Sequence, residues 1–457
     1  MAMKNLLKKQ QAFFESGQTK PVSFRIEKLK KLKEVILKYK EEIIEALYKD
    51  FKKPAFETLT SEIGVVMEEL DLHIKKLKKW SKPQAVRPHL SNFYSKDKIY
   101  RDPYGKVLII SPWNYPFNLA MIPLIGAISG GNIVVLKPSE YSPHTSQILQ
   151  TILSEVFEEE YVAVIQGDAK TAQALLKEKW DYIFFTGSPA VGKYVYRAAA
   201  EHLTPVTLEL GGKSPVVIDE TANLSLAARR IVWGKFYNAG QTCIAPDYVL
   251  IPKNKKELFL SFFQEEITKM YGEKPETSPD YARIINLKNW QRLVNMLNDN
   301  EVVIGGEYNS DDNYISPTLV LNPDMESELM QYEIFGPVLP VITYKNKAEM
   351  ESVLQVHPNP LAFYIFSNDK KFSQGLIKKY AFGGGMVNDV LGHFVNPRLP
   401  FGGVGESGMG NYHGKYSFLT FTRPKSMVFR SNRPDIFVRY PPVTKLKEKI
   451  IRFLFGI

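Results

Sequence analysis

The feature that most restricts the fold of this chain is an alternation of short apolar runs with helix-length segments, which begins near residue 105. Continuous apolar runs of this length are typical of interior strands in a parallel sheet that is covered on both faces. The first four runs lie at 107–110, 133–136, 162–165 and 182–185. We therefore predict an α/β domain of the nucleotide-binding kind in this part of the chain.

A second series of strand-length runs follows the break at Gly211-Gly212 and predicts a second α/β block. Its runs lie at 215–218, 247–252, 302–304, 338–343 and 362–366. A length of 457 residues is enough for about two or three domains. The predicted fold class is therefore α/β, with two blocks of mainly parallel strands.

The segments before the first block have a different pattern. Residues 22–51 read as an amphipathic helix, and a second helix is predicted over 57–80. Prolines interrupt the pattern over 81–104, which predicts an extended arm or a hairpin. A glycine-rich stretch over 400–408 leads into the C-terminal segment.

The net charge of +10 is concentrated at the two ends of the chain. Residues 1–100 carry +9 (22 basic against 13 acidic), residues 423–457 carry +7 (9 against 2), and the middle carries −6 (28 against 34). No recognised nucleic-acid-binding motif accompanies the basic ends. Solvated helix faces explain these lysines, and we expect no nucleic-acid partner.

The chain has one cysteine, Cys243, which ends the run Asn238-Ala239-Gly240-Gln241-Thr242-Cys243. A single thiol cannot form an intrachain disulfide or a cysteine-rich metal site, so it is either a small buried side chain or a nucleophile. Upstream, Glu209 precedes two glycines, and Asn114 lies between two prolines. A thiol, a carboxylate and an amide donor are the groups that acyl-enzyme chemistry requires. These neighbouring groups favour the interpretation of Cys243 as a nucleophile, and we expect no metal site.

The usual G-x-G-x-x-G dinucleotide fingerprint is absent from the sequence, but a small-residue turn follows the fourth predicted strand. There Thr186-Gly187-Ser188 leaves the strand, and Gly192 lies in the next helix. Such a turn can bind a pyrophosphate through backbone N–H groups, although an ordinary strand–helix turn looks the same. Lys137 and Glu140 follow another predicted strand, where they could hydrogen-bond a ribose or could simply lie at the start of a helix. Glu333-Ile334-Phe335 could likewise belong to a binding site or to an ordinary loop.

Seven short segments together resemble the aldehyde dehydrogenase superfamily, in the family's order and spacing over nearly the whole chain. They are Pro112-Trp113-Asn114, Lys137-Pro138-Ser139-Glu140, Phe185-Thr186-Gly187-Ser188, Glu209-Leu210-Gly211-Gly212-Lys213, Gly240-Gln241-Thr242-Cys243, Glu333-Ile334-Phe335-Gly336-Pro337 and Pro400-Phe401-Gly402-Gly403. The short N-terminal region and the ending Asn411-Tyr412-His413-Gly414-Lys415-Tyr416-Ser417-Phe418 resemble the class 3 branch. That branch contains fatty and aromatic aldehyde dehydrogenases and is typically dimeric.

The resemblance implies a division into three parts. Residues 1–81 and 105–210 correspond to a Rossmann-like NAD(P)-binding domain, and residues 211–400 correspond to an α/β catalytic domain. Residues 82–104 and 401–457 correspond to a bridging, oligomerisation arm and a C-terminal tail. In the family the arm completes a sheet of the neighbouring subunit, which pairs an otherwise exposed edge. A homodimer is the implied assembly.

The family's catalytic roles fall on three matching residues. Cys243 would attack an aldehyde carbonyl as the thiolate, and the Asn114 amide with the Cys243 backbone N–H would bind the resulting oxyanion. Loss of hydride to the nicotinamide would leave a thioester on Cys243. Water activated by Glu209 would then hydrolyse that thioester to a carboxylic acid.

The resemblance also implies the residues that bind the cofactor. Lys137 and Glu140 would lie at the adenine ribose, and Glu333 would lie at the nicotinamide ribose. The full implied set is Ser111, Pro112, Trp113, Lys137, Glu140, Gly187, Ser188, Gly192, Leu210, Gly211, Glu333 and Phe335. A glutamate near the 2′-hydroxyl repels a 2′-phosphate, whereas Lys137 attracts it. We therefore expect NAD to be preferred and NADP to be tolerated.

Three other functions were weighed against this one. A CoA-acylating or phosphorylating dehydrogenase would keep the thioester, but such relatives generally lack the glutamate found here at 209. A cysteine hydrolase usually pairs its cysteine with a histidine, and neither His393 nor His413 has a local signature of that role. A non-catalytic scaffold of the same fold would not require the intact set of Cys243, Glu209 and Asn114.

The substrate is the least determined part of this interpretation. Five aromatic residues are candidates for an apolar funnel that favours medium or long aliphatic or aromatic aldehydes, although each could equally be a core residue: Trp113, Tyr115, Phe117, Phe394 and Phe401. The segment 445–457 is basic and then apolar. It suits a helix on a membrane surface, a helix that covers a substrate entrance, or docking on the dimer, and docking on the dimer is favoured. With no signal peptide and no run of membrane-spanning length, we expect a cytoplasmic protein.

Overall fold

A computed structural model describes the protein at residues 2–89, 92, 94–298, 300–432, 435 and 437–457. Contacts divide the chain into a larger and a smaller compact unit. The larger unit is Met1–Trp80 with Pro103–Arg423, and the smaller unit is Ser81–Asp102 with Pro424–Ile457.

Residues 401–423 pack within the larger unit, whereas the sequence-based division grouped them with the arm. The physical reason is burial, because Phe401, Phe418 and Phe421 belong to the main hydrophobic core. Both predicted α/β blocks also lie within this one unit.

The predicted α/β class is confirmed, since the larger unit contains two mainly parallel sheets. The first has six strands in the described chain, in the spatial order Gly408–Met409, Val206–Glu209, Tyr182–Thr186, Lys106–Ile110, Ile133–Lys137 and Val162–Val164. The strand Gly408–Met409 is antiparallel to its neighbour, and the other pairs are parallel. The apolar runs of the central strands are buried, as their composition predicts.

The second sheet has seven strands over the same described residues. Their spatial order is Val302–Ile304, Thr318–Leu321, Val338–Tyr344, Tyr248–Pro252, Pro215–Ile218, Ala362–Phe366 and Gly384–Val387. Only the pair formed by the first two is antiparallel. The five strands predicted for the second block are all present, within one residue of the predicted limits. A small hairpin pairs Tyr308–Asn309 with Tyr314–Ile315.

Helices connect the strands of both sheets. Those of the larger unit are Ala2–Glu15, Val22–Lys38, Lys40–Phe51, Ala55–Thr58, Gly64–Trp80, Asn118–Gly130, Pro143–Val156, Ala169–Leu176, Pro189–Ala200, Leu224–Phe236, Lys256–Tyr271, Leu287–Asn295, Glu328–Gln331, Lys347–Val356, Lys370–Lys379 and Lys415–Thr420. The helix Asn118–Gly130 is buried along its whole length. It packs against the first sheet, beneath the site described below.

The structure differs from the sequence prediction in the first two helices. The segment predicted as one helix over 22–51 is two, because Tyr39 leaves helical geometry with φ −98° and ψ 19°. The predicted helix over 57–80 contains a π-helical turn, Leu59–Ile63. A π turn adds a residue to the helical repeat and is frequent at functional sites.

The smaller unit contains a three-stranded sheet in the order Gln84–Val86, Ser95–Pro103 and Thr422–Arg430. Its first two strands are antiparallel, which confirms the hairpin predicted over 81–104. The chain then forms the exposed helix Lys445–Phe455. Among the described helices, none combines the length and apolarity that crossing a membrane requires.

Candidate active site

Residues of the predicted site lie at the carboxyl ends of four neighbouring parallel strands of the first sheet. They are, in order across the sheet, Glu209, Gly187, Asn114 and Lys137. The carboxyl edge is where open α/β sheets bind ligands. Cys243 comes from the segment between the helix Leu224–Phe236 and the strand Tyr248–Pro252 of the second sheet. The topology therefore brings the predicted thiol to the same place as the predicted carboxylate and amide.

A cavity of about 630 Å³ occupies this place. Most of the predicted site residues line it: Pro112, Trp113, Asn114, Gly187, Ser188, Glu209, Leu210, Gly211, Cys243, Glu333 and Phe335. Four predicted cofactor residues do not line it, and these are Ser111, Lys137, Glu140 and Gly192. A cavity of this size is typical of small-molecule and cofactor sites.

The turn before Cys243 has an unusual backbone. Asn238 and Ala239 have φ values of 55° and 50°, in the left-handed region that residues with a Cβ rarely adopt. Each such residue costs roughly 1–2 kcal/mol. Gly240 follows with φ 74°, where a Cβ would overlap the carbonyl of Gly336. Contacts from the surrounding structure must therefore hold this turn in place.

Gln241 and Thr242 supply four of these contacts. The Gln241 side-chain amide donates to the carbonyls of Asn238 and Arg283 at 3.1 and 2.9 Å, and its oxygen accepts from the Ile285 N–H at 3.0 Å. The hydroxyls of Thr242 and Tyr115 are 2.6 Å apart. The residues immediately before the thiol are thus buried and hydrogen-bonded, which restricts where Cys243 can point.

The Asn114 side chain is buried and is joined to the same loop. Its Nδ2 donates to the backbone carbonyl of Gln241 at 3.0 Å, and the backbone carbonyl of Asn114 accepts from Asn238 Nδ2 at 2.9 Å. An amide NH₂ group carries two hydrogens. The second hydrogen is therefore available to an oxyanion in the cavity that Asn114 and Cys243 both line.

Glu209 is the last residue of its strand, and only 2% of its surface is exposed. Neither carboxylate oxygen has a hydrogen-bond partner among the residues that the structure describes. Burial raises the pKa of Glu209 well above its usual value. A carboxylate in an apolar cavity, without fixed donors, is suited to accept a proton from a water molecule.

Cys243 is a free, half-buried thiol. Burial raises its pKa well above the usual value, and the carboxylates of Glu333 and Glu209 raise it further. Backbone N–H groups of Cys243 and Ile244 oppose this rise. The thiolate form of Cys243 is therefore disfavoured first by burial, and further by Glu333 and Glu209 when these carboxyl groups are ionised.

The turn after the strand Tyr182–Thr186 has features that suit a pyrophosphate. Ser188 is the N-cap of the helix Pro189–Ala200, and its hydroxyl accepts from the Val191 N–H at 3.5 Å. A Cβ on Gly187 would stand 2.5 Å from the Phe185 ring, so the backbone passes through a narrow space. The N–H groups at the N-terminus of a helix attract anions, and a glycine there lets an anion come close to the backbone.

Glu333 and Phe335, the other part of the predicted cofactor region, also line the cavity. A Cβ on Gly211 would overlap the Glu333 carboxylate, so the glycine leaves room for that group. Burial raises the pKa of Glu333 to about 8, and the Asp247 carboxylate acts in the same direction. The rings of Trp113 and Phe335 meet edge to face with centroids 5.3 Å apart. This carboxylate and these rings fit a ribose and a nicotinamide.

Lys137 and Glu140 lie outside the cavity wall and are paired with each other, with Nζ and Oε2 2.8 Å apart. The lysine is buried, while a third of the glutamate side chain is exposed. Gly192 packs closely on Leu210, where a Cβ would stand 2.6 Å from Cδ2. Its place near the phosphates stays a prediction.

The apolar wall was only partly predicted. Trp113, Tyr115, Phe394 and Phe401 line the cavity, but Phe117 is fully buried in the core and does not. Lining residues that the sequence analysis missed include Phe56, Val65, Leu119, Trp233, Tyr237, Leu391, Val395 and Tyr412. Most lie on helices or loops distant in sequence from the motifs, where a cavity-facing aromatic has the same pattern as a core residue.

Comparisons with known proteins agree with this fold and site. The model of the Aldehyde dehydrogenase family matches residues 2–427. The chain is 47% identical over 446 residues to the 4,4′-diaponeurosporen-aldehyde dehydrogenase of Staphylococcus aureus, covering 97% of both chains. It is 42% identical over 445 residues to mouse aldehyde dehydrogenase family 3 member B2, covering 97% of this chain and 93% of that protein. A substrate-bound structure of Staphylococcus aureus AldH superposes with a TM-score of 0.97 at 46% identity, covering 99% of each chain.

The two-sheet fold and the thiol-containing cavity thus define an oxidoreductase, and the chain belongs to the aldehyde dehydrogenase family. Within that family it belongs to the class 3-like branch, and it is an NAD(P)-dependent aldehyde dehydrogenase.

Proposed function

We propose that the enzyme oxidises medium- or long-chain aliphatic or aromatic aldehydes to carboxylic acids, by way of a thioester on Cys243. The single observation that carries this proposal is the shared cavity. It places a thiol, an amide with a spare hydrogen and a buried, unpartnered carboxylate around one space of about 630 Å³.

The first step is addition of the Cys243 sulfur to the carbonyl carbon. The carbonyl oxygen gains a negative charge, which the second hydrogen of Asn114 Nδ2 and the Cys243 backbone N–H would bind. The product is a thiohemiacetal, held against the wall formed by Trp113 and Phe335. Glu333 and Phe335 would hold the nicotinamide beside this carbon, where it would supply the hydride acceptor.

The second step is hydrolysis of the thioester. Glu209 takes a proton from a water molecule, whose oxygen attacks the acyl carbon. The carbon–sulfur bond breaks, the acid leaves, and the thiolate of Cys243 is regenerated. The absence of described hydrogen-bond donors on Glu209 supports this role, because fixed donors would lower its basicity.

The substrate class is inferred from the cavity wall. Phe56, Trp233 and Val395 are exposed apolar residues that also line the cavity, so they are suited to contact an alkyl or aryl chain. No described lysine lines the cavity, and Arg292 is its single described basic residue. The name of the staphylococcal relative gives it a long apolar aldehyde, which supports the same class here.

The experiment that tests this function measures NADH absorbance with purified protein, NAD and a panel of aldehydes from acetaldehyde to hexadecanal, together with benzaldehyde. Cys243→Ser is the matched variant, because it replaces one sulfur atom. Turnover that rises with chain length and disappears in Cys243→Ser is the expected result. Turnover only after addition of CoA or phosphate would instead establish the acyl-transferring alternative.

For the cofactor we propose a preference for NAD over NADP. The ion pair of Lys137 with Glu140 supports it, because the positive charge of the lysine is already paired and the partly exposed Glu140 carboxylate repels a 2′-phosphate. The test compares kcat/KM for the two cofactors in the wild type and in Glu140→Gln. A gain in NADP efficiency in the variant is expected, and an NADP preference in the wild type would refute the proposal.

We further propose that the smaller unit forms a homodimer contact. Its sheet has an open edge at Thr422–Arg430, and Met427, Val428 and Phe429 are exposed on that strand. Exposed apolar edge strands are usually paired in the native assembly. Light scattering after size-exclusion chromatography should give a dimer mass for the wild type, and Val428→Lys should shift it toward the monomer.

The helix Lys445–Phe455 is proposed to make weak contact with anionic membranes. It has no buried residue, it carries three lysines and one arginine, and Phe453 is 87% exposed. Flotation with vesicles of phosphatidylglycerol and phosphatidylcholine should recover more full-length protein than protein that lacks 445–457. If vesicles recover both proteins equally and the shortened chain has a mass close to that of a monomer, the helix belongs to the subunit contact.

A further inference from the structure

A cluster of buried charged residues lies next to the turn at 238–240, which precedes Cys243. The reaction described above does not use these residues. It consists of Lys53, Glu57 and Glu62, of which none has more than 5% of its surface exposed. Buried charged residues are rare unless they are paired, and they often impose a specific local arrangement. The sequence alone predicts only a helix over 57–80 for the two glutamates.

Lys53 and Glu62 form the structural part of the cluster. Lys53 Nζ is 2.8 Å from Glu62 Oε1 and 3.9 Å from the centroid of the Tyr115 ring. The second oxygen of Glu62 accepts from the Asn118 N–H at 2.7 Å, at the start of the long buried helix. The contacts of these two residues are therefore accounted for by packing and by helix capping.

Glu57 makes a different contact. Its Oε2 accepts from the backbone N–H of Asn238 at 3.0 Å, and its backbone carbonyl accepts from the Tyr237 hydroxyl at 3.3 Å. Asn238 is the first of the two residues with left-handed backbone before Cys243. A carboxylate that accepts this N–H offsets part of the cost of the strained turn.

Asn238 connects this contact to the reacting groups. Its Nδ2 donates to the Asn114 carbonyl at 2.9 Å and to the Gln241 carbonyl at 3.1 Å. Asn114 Nδ2 donates to the same Gln241 carbonyl at 3.0 Å. A continuous set of hydrogen bonds thus runs from Glu57 through Asn238 to the Asn114 amide and to the loop that carries the thiol.

We propose that Glu57 is a positioning residue, which holds the Asn238 turn and thereby sets the Asn114 amide and Cys243 in their reactive arrangement. This inference rests on the proposed function for the roles of Asn114 and Cys243. Glu57 itself does not line the cavity. Its action is therefore through the backbone of the turn.

The ionisation of Glu57 is consistent with a role as acceptor. Burial raises its pKa to about 8, against the opposing effect of Lys53. The protonated acid keeps a carbonyl oxygen, so both forms can accept the Asn238 N–H. A glutamine at this position keeps the same acceptor, whereas a methionine of similar volume removes it.

The test compares Glu57→Gln and Glu57→Met with the wild type in two assays. The first is aldehyde oxidation with NAD. The second is alkylation of the thiol by iodoacetamide in the protein alone, which reports on Cys243 because the chain has one cysteine. Asp219→Asn is the matched control, since Asp219 is a buried carboxylate that accepts the Thr221 N–H at 2.9 Å and does not line the cavity.

Glu57→Met is expected to lower kcat by about a hundredfold with little change in the KM for NAD, because a misplaced reacting group has effects of that order. It should also make alkylation roughly fivefold faster, since release of the turn exposes the thiol. Glu57→Gln should stay near the wild type in both assays, as should Asp219→Asn. If Glu57→Met does not fold, Glu57→Asp replaces it, because the shorter carboxylate cannot reach the Asn238 N–H.

Two results would overturn the inference. One is wild-type kcat and wild-type alkylation in Glu57→Met. The other is an equal loss of kcat in Glu57→Gln and Glu57→Met. That result would show that catalysis depends on the negative charge beside Lys53 and not on the hydrogen bond to Asn238. A wild-type protein without aldehyde turnover would defeat the proposed function instead, while the alkylation rates would still decide whether Glu57 positions the thiol.

Discussion

The Glu333 carboxylate occupies the space that a side chain on Gly211 would fill, with the Gly212 N–H donating to it. Gly211, which follows the strand Val206–Glu209, and Glu333 are thus complementary in shape. Neither residue could be enlarged without displacing the other.

Gly211→Ala is therefore expected to displace Glu333 and to raise the KM for NAD by about tenfold or more, since a shift of about 1 Å is costly in a positioned site. The measurement is initial rate against NAD concentration. Gly375→Ala is the control, because a Cβ there meets nothing within 4 Å and the helix tolerates alanine well. An unchanged KM in Gly211→Ala would mean that Glu333 does not contact the cofactor.

Asn114→Ala should lower kcat by about 10²–10³, because one oxyanion donor is lost, while the melting temperature changes little. The burst of NADH in a single turnover should slow by the same factor, which places the defect before thioester hydrolysis. A variant with a normal burst and a slow steady state would show that Asn114 acts at another step.

Glu209→Gln should retain a burst of NADH and lose steady-state turnover, because the thioester forms but water is not activated. Mass spectrometry of the quenched protein should show the acyl group on Cys243. In the wild type, hydrolysis should rise with pH through the raised pKa of Glu209, since only the ionised form accepts a proton. Loss of the burst itself would remove Glu209 from the hydrolytic role.

Glu209→Gln also has a predicted effect on stability. A carboxyl whose pKa is higher in the folded than in the unfolded protein contributes stability below the unfolded value and loses it as the pH rises to the folded value. The variant should therefore be more stable than the wild type at neutral and alkaline pH, and the difference should vanish near pH 4. Denaturant unfolding at several pH values measures it, and a less stable variant at pH 8 would contradict the burial effect.

Glu333→Gln should accelerate alkylation of Cys243 by iodoacetamide in the protein without cofactor. The reason is electrostatic: the Glu333 carboxylate helps to raise the pKa of the thiol, so its removal increases the thiolate fraction at a given pH. The rate–pH curve should move to lower pH in the variant. Asp219→Asn again serves as the control, with a curve that coincides with that of the wild type.

Lys53→Met should destabilise the fold by about 3–5 kcal/mol, because it leaves the buried carboxylates of Glu57 and Glu62 without their cation. Equilibrium unfolding in urea gives this value. Lys53→Met combined with Glu62→Gln should recover part of the loss, since one unpaired charge is then removed. An additive loss in the double variant would mean that the two residues do not interact.

The central fold was predictable because its strands are continuous apolar runs, such as 133–136, that suit only a covered parallel sheet. The meeting of Asn114 and Glu209 with Cys243 followed from the family resemblance, and the strand ends explain it physically. Periodicity could not reveal that Tyr39 divides a helix or that Phe117 is buried in the core. Nor could it show Glu57 and Glu62 facing inward, because a π turn changes which side chains share a face.

The antiparallel strand Gly408–Met409 pairs with the strand that carries Glu209, and it comes from the far end of the chain. Until this pairing forms, the strand that ends at Glu209 is an open edge of the first sheet. The last contact of the first sheet forms across a long sequence separation, and such contacts form late. We therefore expect the sheet edge beside Glu209 to close late in folding, after the local contacts of the other strands have formed.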